Sequence, residues 1–460
     1  MALPMKEFRR LDLNAVEAGT SIPTLMAHAG KALAEAARAR GDSVVLLCGK
    51  GNNGGDGFSA AGLLLRWGVE TDVVLLLDRD DIQGPARRYL DLLPEEHVHE
   101  WGPDRRRWKT ADVVVDCMLG SGLHGALRKP IDQAVRWFNK HPGHKIACDV
   151  PTGLGSRLQA QPDVTVTFHA AKEGMEGRSG EIQVVDIGIP PEAADIGIGD
   201  LDAGFVKQRP AGHKGDHGRV LVIGGGPFDG APHYAGMGAV RAGADLVYAV
   251  APEPTATAMR HWGPDLLVRS AGTGRLTWPL ALPQADAIVI GPGMGAHPES
   301  LAVVKKVLAA TEVPVVVDAD GLRALDKATL ATFGHRMVLT PHAAEFKRLA
   351  GHEPSEARVT ALAKQHGLVI LAKGPTDIVS DGTTTRRCKR GHPAMTKGGT
   401  GDVLAGVVAA LLTRGADRFD AACAAAYLVG RAGEVAAAVR GPGMSATDLH
   451  ETLPSILSGL

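Results

Sequence analysis

The stretch Gly398-Gly-Thr-Gly-Asp402 carries chemistry openly. Glycines without a Cβ let the backbone turn tightly and point several N–H groups one way. Residues 403–412 follow as an apolar run at helical spacing, so the positive end of a helix dipole adds to the turn. Such a turn receives an anion. An acid at its end repels phosphate if binding is the whole task. It is in place if Asp402 takes a proton from a hydroxyl that exchanges a phosphoryl group. The plainer alternative is an aspartate that only caps the helix. A second stretch, Gly49-Lys-Gly-Asn-Asn-Gly-Gly-Asp-Gly57, follows the apolar run 43–48 and precedes a helix expected over 58–67. Strand, glycine loop and helix make the phosphate-binding layout of doubly wound folds. The spacing is neither a G-x-G-x-x-G fingerprint nor a Walker loop. The paired asparagines can offer carbonyl oxygens to a cation or hydrogen bonds to a sugar.

These residues need strands to carry them. Residues 112–116 read as a strand ending in Asp116, with a glycine loop at 119–125 behind it. Residues 144–149 read as a strand ending in Asp149, followed by Pro151-Thr-Gly153. Ligands of open parallel sheets bind beyond the carboxyl ends of strands, so Asn52, Asn53, Asp116 and Asp149 are expected along one edge. In the second half, apolar runs at 219–224, 286–290, 314–318, 337–340 and 368–372 also end in polar or glycine-rich residues. Among these are Gly291-Pro-Gly-Met-Gly295, Asp318-Ala-Asp320, Pro341-His342 and Lys373-Gly374. Lys373, after a buried strand and before glycine, reads as facing phosphate. Residues 378–380 and 384–388 read as a hairpin around Asp381-Gly382. Residues 11–40 read as helix interrupted near Ile22-Pro23, 234–242 as the helix after Gly230-Ala-Pro232, and two long Ala/Leu/Val helices close the chain.

The chain has 460 residues, room for two to four domains of roughly 100–200 residues each. With 50 basic and 51 acidic side chains, its charge argues against nucleic acid as a partner. The five scattered cysteines read as reduced core thiols without zinc spacing, which points to the cytoplasm. No signal-peptide core and no run of about 18 apolar residues is present, so no membrane segment is expected. A polar, Gly/Pro-rich connection over 190–218 sets a domain boundary near residue 203.

The motifs Asn52-Asn-Gly-Gly-Asp-Gly57, Asp116-x-x-x-Gly-Ser-Gly-Leu-x-Gly125, Asp149-Val-Pro-Thr-Gly153 and Val185-Asp-Ile-Gly-Ile-Pro190 resemble the NAD(P)H-hydrate epimerase family, the YjeF N-terminal domain, over about residues 5–200. That resemblance implies a Rossmann-like α/β/α sandwich. It implies that Asn52, Asn53, Gly54, Gly55 and Asp56, with Gly120, Ser121, Gly122, Leu123, His124, Gly125 and Ala126, hold a hydrated nicotinamide nucleotide. It puts a potassium ion near Asn53, Asp116 and Thr152, and makes Asp149 the acid/base. The stretch 155–162 is shorter than the family pattern.

From His213-Lys-Gly-x-x-Gly-Arg-Val-Leu-Val-Ile-Gly-Gly225 through Gly230-Ala-Pro232, Gly291-Pro-Gly-Met-Gly295, Thr340-Pro-His-x-x-Glu345, Lys373-Gly374 and Gly398-Gly-Thr-Gly-Asp402, the second half resembles the ADP/ATP-dependent NAD(P)H-hydrate dehydratases of the ribokinase-like superfamily, over about 204–455. The resemblance implies a three-layer α/β/α domain. It places ADP or ATP, with Mg2+, at Lys373, Gly374, Pro375, Thr376, Asp377, Gly399, Thr400 and Gly401. It places the hydrated cofactor at Ala231, Gly295, His342 and Asp402, with Asp402 as the base. Departures from the family pattern are His392, Lys397, the threonine displaced by one to Thr376, and Pro227-Phe-Asp229 before Gly-Ala-Pro.

Together these readings give an α/β protein with an epimerase domain over 1–203 and a dehydratase domain over 204–460. It is expected to act on hydrated NADH and NADPH and to form a cytoplasmic homo-oligomer, with ADP favoured over ATP. Two competing readings are a small-alcohol kinase of the thiamine-precursor type, and a first domain that senses nucleotides without catalysis.

Overall fold

The computed structural model describes residues 2–102, 105–120, 126–201, 206 and 212–459. It divides into two compact units between Ala194 and Asp195. The expected boundary was near residue 203. The segment just before it joins the second unit: Ile196 N–H donates to the Arg387 carbonyl, Asp195 pairs with Arg387 and Lys389, and Asp200 pairs with Arg386.

The first unit is built on seven strands: β1 Ser43–Cys48, β2 Glu70–Leu75, β3 Val98–Glu100, β4 Val113–Cys117, β5 His144–Cys148, β6 Val164–Phe168 and β7 Glu181–Val185. Their order is β3-β2-β1-β4-β5-β6-β7, and every neighbouring pair is parallel. Runs such as Val113-Val-Val115, buried throughout, suit strands covered on both faces. The order reverses between β1 and β4, which opens the crevice where such sheets bind ligands. The N-terminal helical stretch is two helices, α1 Met5–Glu17 and α2 Ile22–Arg38. The Ser21 hydroxyl accepts the Thr24 N–H at the break between them.

One expectation changes here. Residues 52–57 are not a loop: α3 spans Asn52–Arg66, and the connection from β1 is only Gly49-Lys-Gly51. The glycines serve close approach. A Cβ on Gly54 would stand 1.8 Å from the Gly49 carbonyl oxygen, and one on Gly57 would stand 2.7 Å from Cys48 Sγ.

The second unit has nine strands: β8 Arg219–Ile223, β9 Leu246–Ala251, β10 Leu267–Ser270, β11 Ala287–Ile290, β12 Val315–Val317, β13 Met337–Leu339, β14 Val369–Ala372, β15 Asp377–Ser380 and β16 Thr385–Cys388. The order β10-β9-β8-β11-β12-β13-β14-β15-β16 is parallel as far as β14. The antiparallel hairpin β15–β16 follows, with the Asp381 carboxylate accepting the N–H groups of Thr383 and Thr384 at its turn. The switch point lies between β8 and β11.

Helix α4 spans Gly230–Arg241, so Gly230-Ala-Pro232 forms its first turn instead of flanking it. Helix α5 is Ala343–Ala350. Three helices, not two, close the chain: α6 Thr400–Leu412, α7 Arg418–Arg440 and α8 Ala446–Ser458. Residues 403–412 of α6 are buried on every side. It crosses α4 at backbone distance, where a Cβ on Gly406 would stand 1.9 Å from the Ala235 carbonyl oxygen and one on Gly238 2.5 Å from that of Val403.

The helix over Arg418–Gly443 is long and apolar enough to cross a bilayer by composition, which the absence of an unbroken apolar run did not foretell. Its most apolar window is 72% buried inside the fold, the position of a core helix. All five cysteines are free and buried.

Candidate active sites

In the second unit the ends of β11, β12, β13 and β14 converge on the start of α6. Gly399 is the helix N-cap in a left-handed conformation (φ 94°), and Asp402 lies in the first turn. Asp402 therefore does not cap the helix. A Cβ on Gly399 would stand 2.7 Å from both Tyr234 and Ala446, so the position requires glycine twice over. Lys373, just past β14, donates to Asp318 Oδ1 at 2.7 Å. Its Nζ also lies 2.9 Å from where a Gly401 Cβ would be, which places the ammonium beside the helix start. Asp318 is buried and accepts the Thr340 hydroxyl as well, at 2.8 Å.

Burial, then the charge of Asp318, raise the Asp402 carboxyl to about 7; Lys373 opposes, and Glu345 and Asp320 add to the rise. Burial works against the Lys373 charge, but Asp318, Glu345 and Asp402 outweigh it and raise the pKa of the ammonium. The site thus holds a carboxylate able to exchange a proton near neutrality beside a permanent cation.

The other expected positions are distributed around this centre. Gly295 N–H donates to Asp320 Oδ2 at 2.9 Å. A Cβ on Gly293 would stand 3.2 Å from the Ala231 Cβ, so the glycine loop after β11 lies against the first turn of α4. His342 caps α5 in a reciprocal box: its ring accepts the Glu345 N–H and Glu345 accepts the His342 N–H. The imidazole is 57% exposed. Residues 373–376 form the turn between β14 and β15, closed by Asp377 accepting the Gly374 N–H, with Gly374 and Pro375 exposed and Thr376 half-buried. Burial raises Asp377 to about 6, against the Gly374 N–H and Lys373. The Thr400 hydroxyl donates to the carbonyls of Met395 and Lys397, which shapes the turn.

Both unusual residues in the stretch before α6 have local work. Lys397 donates to the carbonyls of Pro442 and Met444, and His392 accepts the Ala394 N–H. Asp318, Asp320 and Thr340 received no role from the sequence, although the Asp-x-Asp at a strand end was the available signal.

In the first unit β1, β4 and β5 are neighbours, and their ends bring three of the expected side chains together. Asn53 Nδ2 donates to the Cys148 carbonyl at 2.8 Å, and its Oδ1 lies 2.4 Å from where a Gly120 Cβ would be. Asp116, 1% exposed, accepts the Thr152 hydroxyl at 2.7 Å and the N–H groups of Thr152 and Met118. Burial outweighs those donors and raises Asp116 to about 6. Leu119 N–H donates to Thr152 Oγ1, so Asn53, Asp116 and Thr152 surround the 118–120 turn.

Asp149 has φ 64°, a left-handed conformation that costs a non-glycine residue energy and marks functional sites. Its carboxylate pairs with Lys172 and accepts the Phe168 N–H. Lys172 is 1% exposed. It also donates to Thr167 Oγ1 and the Phe168 carbonyl, and lies 4.1 Å above the Phe8 ring. A cavity of about 350 Å3 is lined by Asn52, Asn53, Asp56, Asp149, Lys172 and Asp12. Gly54 and Gly55 are buried inside α3, against Gly49 and Met26. Ala126 is exposed, and the expected positions Ser121, Gly122, Leu123, His124 and Gly125 lie outside the described residues. Lys172 and Asp12 were not singled out from the sequence.

Two α/β units, each with an acid at a glycine-rich helix start or strand end, define a fused pair of nucleotide-handling domains. Residues 220–455 match the family model described as NAD(P)H-hydrate dehydratase, and residues 23–174 match that of the YjeF-related protein N-terminus. The chain is 38% identical over 489 residues to the bifunctional NAD(P)H-hydrate repair enzyme Nnr of Hyperthermus butylicus, covering 97% of this chain and 90% of the relative. It is 38% identical over 485 residues to the protein of that name from Methanospirillum hungatei, covering 99% and 93%. The solved ADP/ATP-dependent NAD(P)H-hydrate dehydratase of Bacillus subtilis, co-crystallized with ATP/Mg2+, shares 26% identity at a TM-score of 0.48, covering 55% of this chain and 93% of that one. The chain belongs to the family of bifunctional NAD(P)H-hydrate repair enzymes.

Proposed function

We propose that the second unit dehydrates the S form of hydrated NADH and NADPH with cleavage of a nucleoside phosphate, and that the first interconverts the R and S forms. The carrying observation is Asp402 in the first turn of α6, raised to about 7 beside Lys373. Asp402 takes the proton of the C6 hydroxyl as its oxygen attacks the terminal phosphoryl group. The N–H groups at 399–401 and the Lys373 ammonium stabilise charge on that group. Loss of phosphate with the C5 proton then restores the dihydronicotinamide. Ala231, Gly295 and His342 are assigned to the hydrate, and residues 373–377 and 399–401 to the nucleotide, with ADP preferred.

Among the described residues, no group of three or more His, Cys, Asp or Glu side chains is placed to hold a metal ion. Magnesium is accordingly assigned to the nucleotide's phosphates. The oxygens of Asn53, Asp116 and Thr152, around a buried carboxylate, fit a hard monovalent cation such as potassium. When bound, that ion supplies positive charge to the nucleotide's polar groups. Asp149 is the acid/base of the first unit. A cytoplasmic place goes with the five free thiols, and a homo-oligomer with the family.

The test uses purified protein and mixed hydrate epimers, with ADP or ATP, with and without potassium. Full recovery of dihydronicotinamide absorbance requires both activities. Recovery of only the S fraction rejects the epimerase. Accumulation of a stable phosphorylated product rejects the dehydratase in favour of a kinase.

A further inference from the structure

An epimerase must serve a hydroxyl on either face of the ring, and Asp149 enters the cavity from one element only, the segment after β5. A second acid enters from another. Phe8 and Asp12 are four residues apart on α1 and share a helix face. Phe8 lies under the Lys172 ammonium at 4.1 Å, which fixes that face against the site, and Asp12 lines the cavity. The Asp12 carboxylate accepts no hydrogen bond among the described residues, whereas Asp149 is tied to Lys172 and the Phe168 N–H. Helix α1 precedes residues 23–174, so the matched family region contains no part of it.

We propose that Asp12 is a catalytic proton carrier of the first unit, the counterpart of the Lys172-paired Asp149 in the same cavity. The proposal rests on the epimerase reading of that unit.

The two acids divide the reaction as follows. One carboxylate takes the C6 hydroxyl proton as the C6–N1 bond breaks. The bond's electron pair stays on N1, which takes a proton from the other carboxyl, and C6 becomes an aldehyde. After rotation about C5–C6, N1 adds to the opposite face of the carbonyl and returns its proton. The new oxygen is protonated by the acid that first acted as base. No atom or electron is gained or lost, and no co-reactant is needed.

The groups facing Asp12 around the cavity are Arg9 on its own helix, Asp56 on α3, Asp149 after β5 and Lys172 after β6. Burial, then Asp149, raise the Asp12 carboxyl to about 6, with Lys172 opposing, so both of its protonation states are populated near neutrality.

The experiment follows R-to-S conversion of NADH hydrate by chromatography, using the full chain without nucleotide so that the second unit is idle. Wild type, Asp12→Asn, Asp12→Glu and Asp149→Asn are compared across pH 5–8, the span of about one unit either side of a neutral-range carboxyl. Asp12→Asn is expected to slow conversion by about 100-fold or more, with an unchanged melting temperature and unchanged nucleotide-dependent dehydration of the S form. The acidic limb near pH 6 is expected to disappear, and Asp12→Glu to restore part of the rate and shift the limb. Conversion by Asp12→Asn at the wild-type rate and with the wild-type limb, while Asp149→Asn is inactive, overturns this proposal alone. If Asp12→Asn does not fold, a wild-type limb in Asp12→Glu overturns it equally. A wild type no faster than the protein-free reaction overturns the epimerase reading and this proposal with it.

Discussion

Both units start a helix with glycines at a sheet edge, yet the glycines do different things. In α3 they let the helix lie directly on the strand ends, with Gly54 against the Gly49 carbonyl. In α6 a left-handed Gly399 turns the chain so that Asp402 enters a cluster of acids. The lysines differ too. Lys172 pairs directly with the acid assigned to proton transfer, whereas Lys373 pairs with Asp318 and leaves Asp402 to titrate. Phosphoryl transfer needs a base and a separate cation for the migrating charge. Interconversion of epimers needs acids in different protonation states. On the proposed assignments, the same edge of the same kind of sheet serves both, and the partner of the lysine is what differs.

The largest effect tests whether the two acids are independent. Asp402→Asn is expected to reduce nucleotide-dependent dehydration by at least about 1,000-fold, within the range for a lost general base, and to leave R/S interconversion intact. Retained dehydration would remove Asp402 as the base. Next, the wild-type dehydration rate is expected to rise with pH through about 7 and then level off, since the ionised carboxylate is the active form. Lys373 lowers the Asp402 pKa, so Lys373→Met is expected to move that limb to higher pH, read from kcat/KM profiles. A stationary limb would uncouple the pair.

Gly399→Ala is expected to cost about 1–3 kcal/mol through left-handed strain and contact with Tyr234 and Ala446, measured by denaturant unfolding. In the first unit, Asn53→Ala is expected to weaken potassium activation of interconversion by about 10-fold, with dehydration unaffected. The smallest effect belongs to His342→Ala. It is expected to lower stability by about 1 kcal/mol, the usual scale of a lost N-cap, and to raise KM for the hydrate while kcat holds. An unchanged KM would leave His342 as a cap only.

The strands were legible in the sequence because short β-branched runs between glycine and acid residues have few other uses; β1 falls on the expected residues. Asp402 was legible because it follows glycine and precedes an apolar run, and Lys373 because it follows an apolar run and precedes glycine. The start of α3 was not. Residues 52–57 read as a turn from composition, and only the close approach of Gly49, Cys48 and Cys117 shows why glycine is needed inside a helix. Lys172 and Asp12 were hidden for another reason. Their roles depend on α1 and the end of β6 meeting in space, across more than 150 positions of chain, and no local pattern records that.

The crossing of α4 and α6 has a mechanical consequence. At Gly406 and Gly238 the two helices touch backbone to backbone, one turn from Asp402 on one side and two turns from Ala231 on the other. The contact is a fulcrum. Any side chain added there levers the helices apart and moves Asp402, the proposed base, away from Ala231, a position proposed for the hydrate. Variants that fill this crossing are therefore expected to separate folding from turnover, keeping a stable sheet while misaligning the two halves of the second site.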